Sequence, residues 1–554
     1  MLRVTCPQPS KLPQAVQITP HEGTTLKNNN NNEVSSPQVI QYPGLVLCDL
    51  DFKHKLANLK RLANEIQIIN TIAWTLEWDS SINMPRAALE SRAWQMSHLV
   101  KLSHETVTSE EMKNLIEYFE EETNCSKLNK CERALLREVG SQYKREKYIP
   151  TALLQELTST VVTARDAWAK AYENKDFPTV APILQKIISL KQKIAQYIGY
   201  KGSPYNALLE IFEPGMNTDT LDKLFGELKN ELIPVIRKIN SLSKKTDTSF
   251  LDKRYNPEKQ LELSKELLKH IQFDFSRGRL DESDCPFSLG ISPNDVRLTT
   301  EIFEDNIYFS IANALHEGGH GMYDLGFNPA LATTPLFDAS SLGMHESQAL
   351  LHETIVGKGL PFWKFYFPKL QERFPEELKG VSLEEFYKAM NNVKISFTWS
   401  ESDEVTYNLH IMILYEAEKA LIEGKLCVND VPDFWRRKVK EYFGVEPPDG
   451  ESGTYGSYWS CGDIGYYPTY TLGNLYAAQI YNTIKKEIPD IEEQIAKGNL
   501  IQFREWLQEK IHKHGRTETP FELMTRVTGE PITSKYFIEY IKNKYSNLYS
   551  LDLK

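Results

Sequence analysis

The sequence predicts a mainly α-helical protein with a small β-sheet. Three observations lead there. Apolar residues recur at three- and four-residue steps through most of the chain after residue 46, which is the spacing of one buried helix face. Alternating apolar and polar runs, the mark of half-buried strands, are scarce. No internal repeat and no linker interrupts residues 46–554, so one large helical unit is the simplest arrangement.

Residues 1–45 are rich in Pro, Gln, Ser and Thr and include the run Asn28 to Asn32. Such a segment buries too little apolar surface to offset its ordering entropy, and it is expected to be a disordered extension. The character changes in the stretch from Leu47 to Asp79, where Leu50, Leu56, Leu59, Leu62, Ile66 and Ile69 mark a helix. The same period continues through 87–119, 131–172, 178–198, 218–243, 258–272, 300–325, 339–357, 403–424 and 470–486. The stretches 277–299 and 390–402 are the best places for strands.

Composition narrows the function. Of 554 residues, 41% are hydrophobic and 25% charged, which suits a soluble protein with a large core. A net charge of −11 argues against a nucleic-acid or anionic-membrane surface, since such surfaces concentrate Lys and Arg. Seven scattered cysteines with no CxxC pair fit a reducing compartment and neither a disulfide framework nor a thiolate zinc site. Nothing approaches the run of about 18 apolar residues that a membrane span needs. The amino terminus lacks a signal peptide's apolar core, so the cytoplasm is the expected location. Arg3, with no acid before Glu22, leaves an organellar transit segment open. The acidic stretch 115–127 reads as a solvated helical face rather than a partner surface.

The chemistry concentrates in "NALHEGGHGMYDLG", Asn313 to Gly326. His316 and His320 lie four residues apart on an expected helix, a rise of about 6 Å, so both face one side and can hold one metal ion with Glu317 beside it. Paired surface histidines also arise by chance, and context decides against that here. Gly318 and Gly319 sit between the histidines although each costs about 1 kcal/mol relative to alanine in a helix. They suggest close approach by a substrate strand or by another helix.

A catalytic site needs a third protein ligand, and "SSLGMHESQALLHET" supplies Glu346 early in a helix that Ser340 or Ser341 can cap. His345 suits a supporting place behind the ligands. His352 and Glu353 are expected on another face of that helix. His21, His54, His98, His104, His270, His512 and His514 read as surface or core histidines. With His316, His320 and Glu346 on a metal, Glu317 can act as general base and then protonate a leaving nitrogen. Donors for a developing oxyanion are sought among Tyr466, Tyr467 and Tyr470 of "GDIGYYPTYTLG", with Tyr407 next.

These residues resemble the Taq-type thermostable metallocarboxypeptidase family, helical zinc or cobalt enzymes that remove carboxy-terminal amino acids. The resemblance runs from about residue 46 to 550 and includes "LEWDSSINMP", "DVRLTT", "HEGGHGMYDLG", "SLGMHESQ", "DEVTYNLHIM" and "GYYPTYTLGNLYAAQ". It implies a two-lobed helical fold with a deep central groove, similar to neurolysin and angiotensin-converting enzyme. It also implies a homodimer and one zinc per chain, with cobalt also suited. The family pattern puts the metal ligands on His316, His320 and Glu346 and the base on Glu317. Its DxRxT motif falls on Asp295, Arg297 and Thr299, expected to be substrate-binding.

Other signatures are broken. The family's HPF is Cys285-Pro286-Phe287 here, and its IRxxAD is "TWSESD", with Trp399 at the arginine position. Its QDxHW becomes "YGSYW", Tyr455 to Trp459, and Ala349 and Leu350 replace the usual Ser-Arg after HESQ. A free terminal carboxylate is best held by arginine through paired, charge-assisted hydrogen bonds. Trp399 and Leu350 put apolar bulk where the family pattern would place a charged chain end. Arg297, Arg279 and Lys358 are the remaining candidate cations. The expected activity is metal-dependent carboxypeptidase action on peptides. The alternatives are an amide hydrolase of altered specificity, acting on modified peptides or a biosynthetic intermediate, and a non-catalytic metal-containing binding protein.

Overall fold

A computed structural model describes residues 45–174, 176–242, 246–448 and 457–553. The extension expected over residues 1–45 lies outside the described residues except for Leu45, where the first helix begins. That helix, Leu45–Ile82, buries Leu59, Leu62 and Ile66 and leaves Leu50 exposed. The helices foreseen from the apolar period are present, and the described residues form a helical protein with one small sheet.

The sheet occupies part of the first stretch expected to hold strands: β1 Gly278–Glu282, β2 Ser288–Ser292 and β3 Asp295–Thr300, in the order β1-β3-β2. β1 runs parallel to β3 and β2 antiparallel, with Leu289 opposite Arg297. The second stretch, 390–402, holds no strand; its only regular element is a single turn, Trp399–Glu401. Its backbone amides find side chains rather than a partner strand: Lys394 N–H donates to the Asp403 carboxylate and Thr398 N–H to Ser396 Oγ. Side-chain acceptors of this kind compete directly with a ladder.

At the centre lies the histidine helix, Ile307–Gly326, begun where Asn306 accepts a hydrogen bond from Phe309 N–H. From Leu315 to Gly326 every residue but His316 is buried. A helix apolar on all sides is a core helix, and this one is enclosed by the helix Pro257–His270, by β2 and β3, and by the glutamate helix, Leu342–Leu350. Ser341 caps the glutamate helix by accepting from Met344 N–H at 3.0 Å. A π-helical stretch, Leu351–Val356, continues it. The tyrosine helix, Pro468–Glu487, lies along the glutamate helix and starts with a proline, whose missing N–H costs nothing in a first turn.

The glycines between the histidines serve helix packing, not a substrate strand. A Cβ on Gly319 would lie 2.4 Å from the Gln348 carbonyl oxygen and 2.7 Å from Ala349 Cα, so the glutamate helix crosses there backbone to backbone. A Cβ on Gly318 would lie 2.5 Å from Ile271 Cδ1. On the tyrosine helix, a Cβ on Gly473 would lie 2.7 Å from Glu346 Cγ.

Backbone cannot yield as a flexible side chain can, so Gly319→Ala is expected to lower unfolding free energy by about 1–3 kcal/mol. Gly226→Ala, in a helix where the added Cβ meets nothing, is expected to raise it by up to about 1 kcal/mol. Urea titration of the two variants side by side measures both.

Candidate metal centre

Close approach at Gly319 brings the Glu346 carboxylate over both motif histidines. Glu346 Oε1 lies 3.8 Å from His316 Nε2, and Oε2 lies 3.6 Å from His320 Nε2. Among the described residues these three form a group whose ligand atoms all lie within 4.8 Å of one another.

The far side of each ring is engaged. His316 Nδ1 donates to Glu353 Oε2 at 2.9 Å, and His320 Nδ1 to the His345 carbonyl oxygen at 3.1 Å. With Nδ1 of each ring donating behind, Nε2 is the nitrogen that faces Glu346 and is left for a metal once its own proton has gone. His345 lies flat on His320 at 4.2 Å between ring centroids, and its Nε2 pairs with Asp324 Oδ1 at 3.1 Å.

Buried polar atoms argue in the same direction. Glu346 Oε1 and Glu317 Oε2 are buried without a hydrogen-bond partner, an arrangement costly in a bare protein. Burial pushes the Glu317 and Glu346 carboxyls up to about 7, against the pull of His316. Burial alone would depress His316, but Glu346 and the hydrogen bond it donates to Glu353 outweigh it and hold it up at about 10. Two imidazoles and a carboxylate, with two orphaned carboxylate oxygens, fit a divalent transition-metal ion.

The expected supporting place of His345 agrees with its position, and His352 is turned away, its Nδ1 donating to the Gln348 carbonyl and its ring edge-on to Phe503. The expectation for Glu353 is corrected: it faces His316. Its spacing of seven from Glu346 returns to nearly the same helix face after two turns, which is the signal that sequence reading passed over. Lys358, buried, lies 3.6 Å from Glu353 Oε1 and is held charged by Tyr308, Glu353 and Glu404 against the effect of burial.

Arg297 and Asp295 are not brought to the cluster. They pair bidentately at 2.8 Å for both bonds, and the guanidinium lies 4.4 Å over the Trp78 ring. The neighbouring Leu298 faces the histidine helix at Gly321, so strand alternation turns Arg297 to the other side of the sheet. Arg279 is likewise paired with Asp281 and lies 5.3 Å over Trp78. Leu350 is buried in the core against Gly473, one turn beyond Glu346.

The tyrosines pack against one another, and two of them, Tyr470 and Tyr407, feel the Glu346 carboxylate. Tyr470 stands one turn before Gly473, and Glu346 contributes, after burial and the neighbouring phenols, to pushing its hydroxyl up. Glu346 acts on Tyr407 in the same way. Tyr470 Oη lies 2.5 Å from Tyr458 Oη, and the Tyr466 ring stacks on Tyr458 at 4.6 Å. Trp399 sits among them, its ring 5.2 Å from Tyr470, 6.1 Å from Tyr407, 6.2 Å from Tyr467 and 6.3 Å from Tyr458. Tyr455, in the same altered motif, lies outside the described residues.

Glu353→Gln is expected to weaken metal binding by about 10–100-fold, because the hydrogen bond that orients His316 loses its charge. Chelator competition measures it. Protons on His316 and Glu346 compete with the metal, so affinity is expected to climb as pH rises from below 7 toward 10. In the metal-free protein the raised His316 value has the opposite consequence: its stabilising contribution is complete below about 6.5 and is lost as pH rises through about 10.

Known proteins are similar to this chain over most of its length. Carboxypeptidase 1 of Bacillus subtilis is 37% identical over 477 residues, covering 86% of this chain and 95% of its own. Thermostable carboxypeptidase 1 of Thermus thermophilus is 36% identical over 502 residues, covering 89% and 98%. A Pyrococcus furiosus carboxypeptidase structure superposes with a TM-score of 0.85 at 33% identity, covering 89% of this chain and 99% of that one. The sequence profile of the carboxypeptidase Taq (M32) metallopeptidases matches residues 58–545, and the chain belongs to that family.

Proposed function

We propose that this chain is a metal-dependent peptide hydrolase that removes residues from the carboxy-terminal end of peptides, with His316, His320 and Glu346 as its metal ligands. The observation that carries the reading is the Glu346 carboxylate set over both histidine Nε2 atoms, with each Nδ1 tied down behind. Membership of a metallopeptidase family supports it. Zinc is the proposed ion, and cobalt suits the same donors.

A divalent ion in this donor set supplies Lewis-acid polarisation of the scissile carbonyl and acidifies a water molecule. The residues of the chain do the rest. Glu317, whose carboxyl sits at about 7, takes the proton of the attacking water and passes it to the departing nitrogen as the C–N bond breaks. Tyr470 and Tyr407 remain protonated because burial holds both hydroxyls up, and they are the proposed donors to the carbonyl oxygen as it gains charge. Tyr466, stacked behind Tyr458, steadies that wall. His345 and Glu353 keep the two ligand rings in one tautomer.

The family resemblance supports a homodimer, and the scattered cysteines with no CxxC pair support a reducing compartment such as the cytoplasm. No described helix is long and apolar enough to cross a membrane.

Replacing the base while keeping the ligands separates catalysis from binding. Glu317→Gln is expected to bind one metal ion per chain as the parent does and to cleave peptides about 10²–10⁴-fold more slowly. Metal analysis and a peptide-library digest check both. If the metal-loaded parent cleaves nothing, the hydrolase reading fails and the non-catalytic binding protein takes its place.

A further inference from the structure

We propose that the residue this site removes is carboxy-blocked, ending in a neutral carboxamide or ester rather than a free carboxylate. The inference rests on the hydrolase reading and names its substrate class.

The first ground is the disposition of charge. Glu317, Glu346 and Glu353 surround the two histidines, and Lys358 is consumed by Glu353 from behind. Arg297 and Arg279 are each paired with an aspartate and stacked on Trp78. Lys358, Arg279 and Arg297 thus already have carboxylate partners, and a chain-end carboxylate left without a paired guanidinium here would be expensive.

The second ground is what lies beside Glu346 instead. Trp399 and the rings of Tyr407, Tyr458, Tyr467 and Tyr470 form one continuous aromatic wall, with Trp399, Tyr407 and Tyr458 half-buried at its edge. Ring faces carry the negative part of the quadrupole, so they repel an anion and accept a neutral planar group. The phenol hydroxyls are neutral hydrogen-bonding partners suited to an amide or ester carbonyl. One turn before Glu317, the Asn313 side-chain oxygen is buried with no hydrogen-bond partner. That open acceptor suits an N–H, which a carboxamide offers and a carboxylate lacks.

The test uses the full metal-loaded chain and pairs of amino-blocked peptides identical but for a free acid or a carboxamide at the end. The carboxamide is expected to have the higher kcat/KM by at least about tenfold, the discrimination typical of a site that cannot satisfy the wrong polar group. Trp399→Arg is expected to reverse the preference, mainly by lowering KM for the free acid, with Trp399→Lys as the substitute if the arginine variant does not fold. A parent enzyme that prefers the free acid overturns the inference, as does a Trp399→Arg variant with an unchanged ratio. Should neither peptide be cleaved, the hydrolase reading has failed, and equilibrium binding of the same peptides to Glu317→Gln decides this point separately. Tighter binding of the carboxamide upholds a neutral-end pocket; equal binding, acid preference or no binding overturns it.

Discussion

The centre depends on one steric fact, the backbone contact of two helices at Gly319. Without a side chain there, the glutamate helix crosses the histidine helix close enough for Gln348 O and Ala349 Cα to occupy the space of a Cβ. That contact sets the height of Glu346 over His316 and His320. Gly473 sets the other limit, allowing the tyrosine helix to close over the Glu346 stem. Two helices close together in the chain and a third from far downstream thereby meet at one carboxylate. The tyrosine wall and the Glu353 support follow from the same crossing.

Electrostatics then explains why the cluster is both unstable in itself and suited to its work. Glu317 and Glu346 are buried with oxygens that no hydrogen bond satisfies. Such atoms weigh against folding, and a bound cation would relieve them. His316 and His320 are oriented from behind by a carboxylate and a carbonyl, so the geometry does not depend on the ion. The core around the histidine helix carries the cost: from Leu315 onward nearly every side is closed by apolar packing.

Around this centre the chemistry of recognition differs from the chemistry of hydrolysis. His316, His320 and Glu346 come together as one cluster, with Glu317 beside them on the same helix. The neighbouring wall is built from Trp399 and tyrosines, and Lys358, Arg279 and Arg297 are paired with Glu353, Asp281 and Asp295. A scaffold can keep its reaction and change what it accepts, because the reacting groups sit on core helices while the wall comes from a short turn and the end of a helix.

Local order alone made the helical class legible, because a 3.6-residue apolar period needs no partner to be seen. It also revealed His316, Glu317 and His320, whose spacing places them on one helix face whatever surrounds them. Glu346 was legible by its capped helix and distance from the motif, and Glu353 should have been, by its heptad step. Tertiary structure alone decided the rest. Whether Gly318 and Gly319 admit a substrate or a helix depends on what crosses them. The strand expected at 390–402 lost its backbone donors to Asp403 and Ser396. Arg297 could be assigned to a strand from sequence, but the face it occupies follows from Leu298 filling the space beside Gly321. Sequence specifies which groups a chain carries and their local period. Their meeting across hundreds of residues is settled by packing, which no local pattern records.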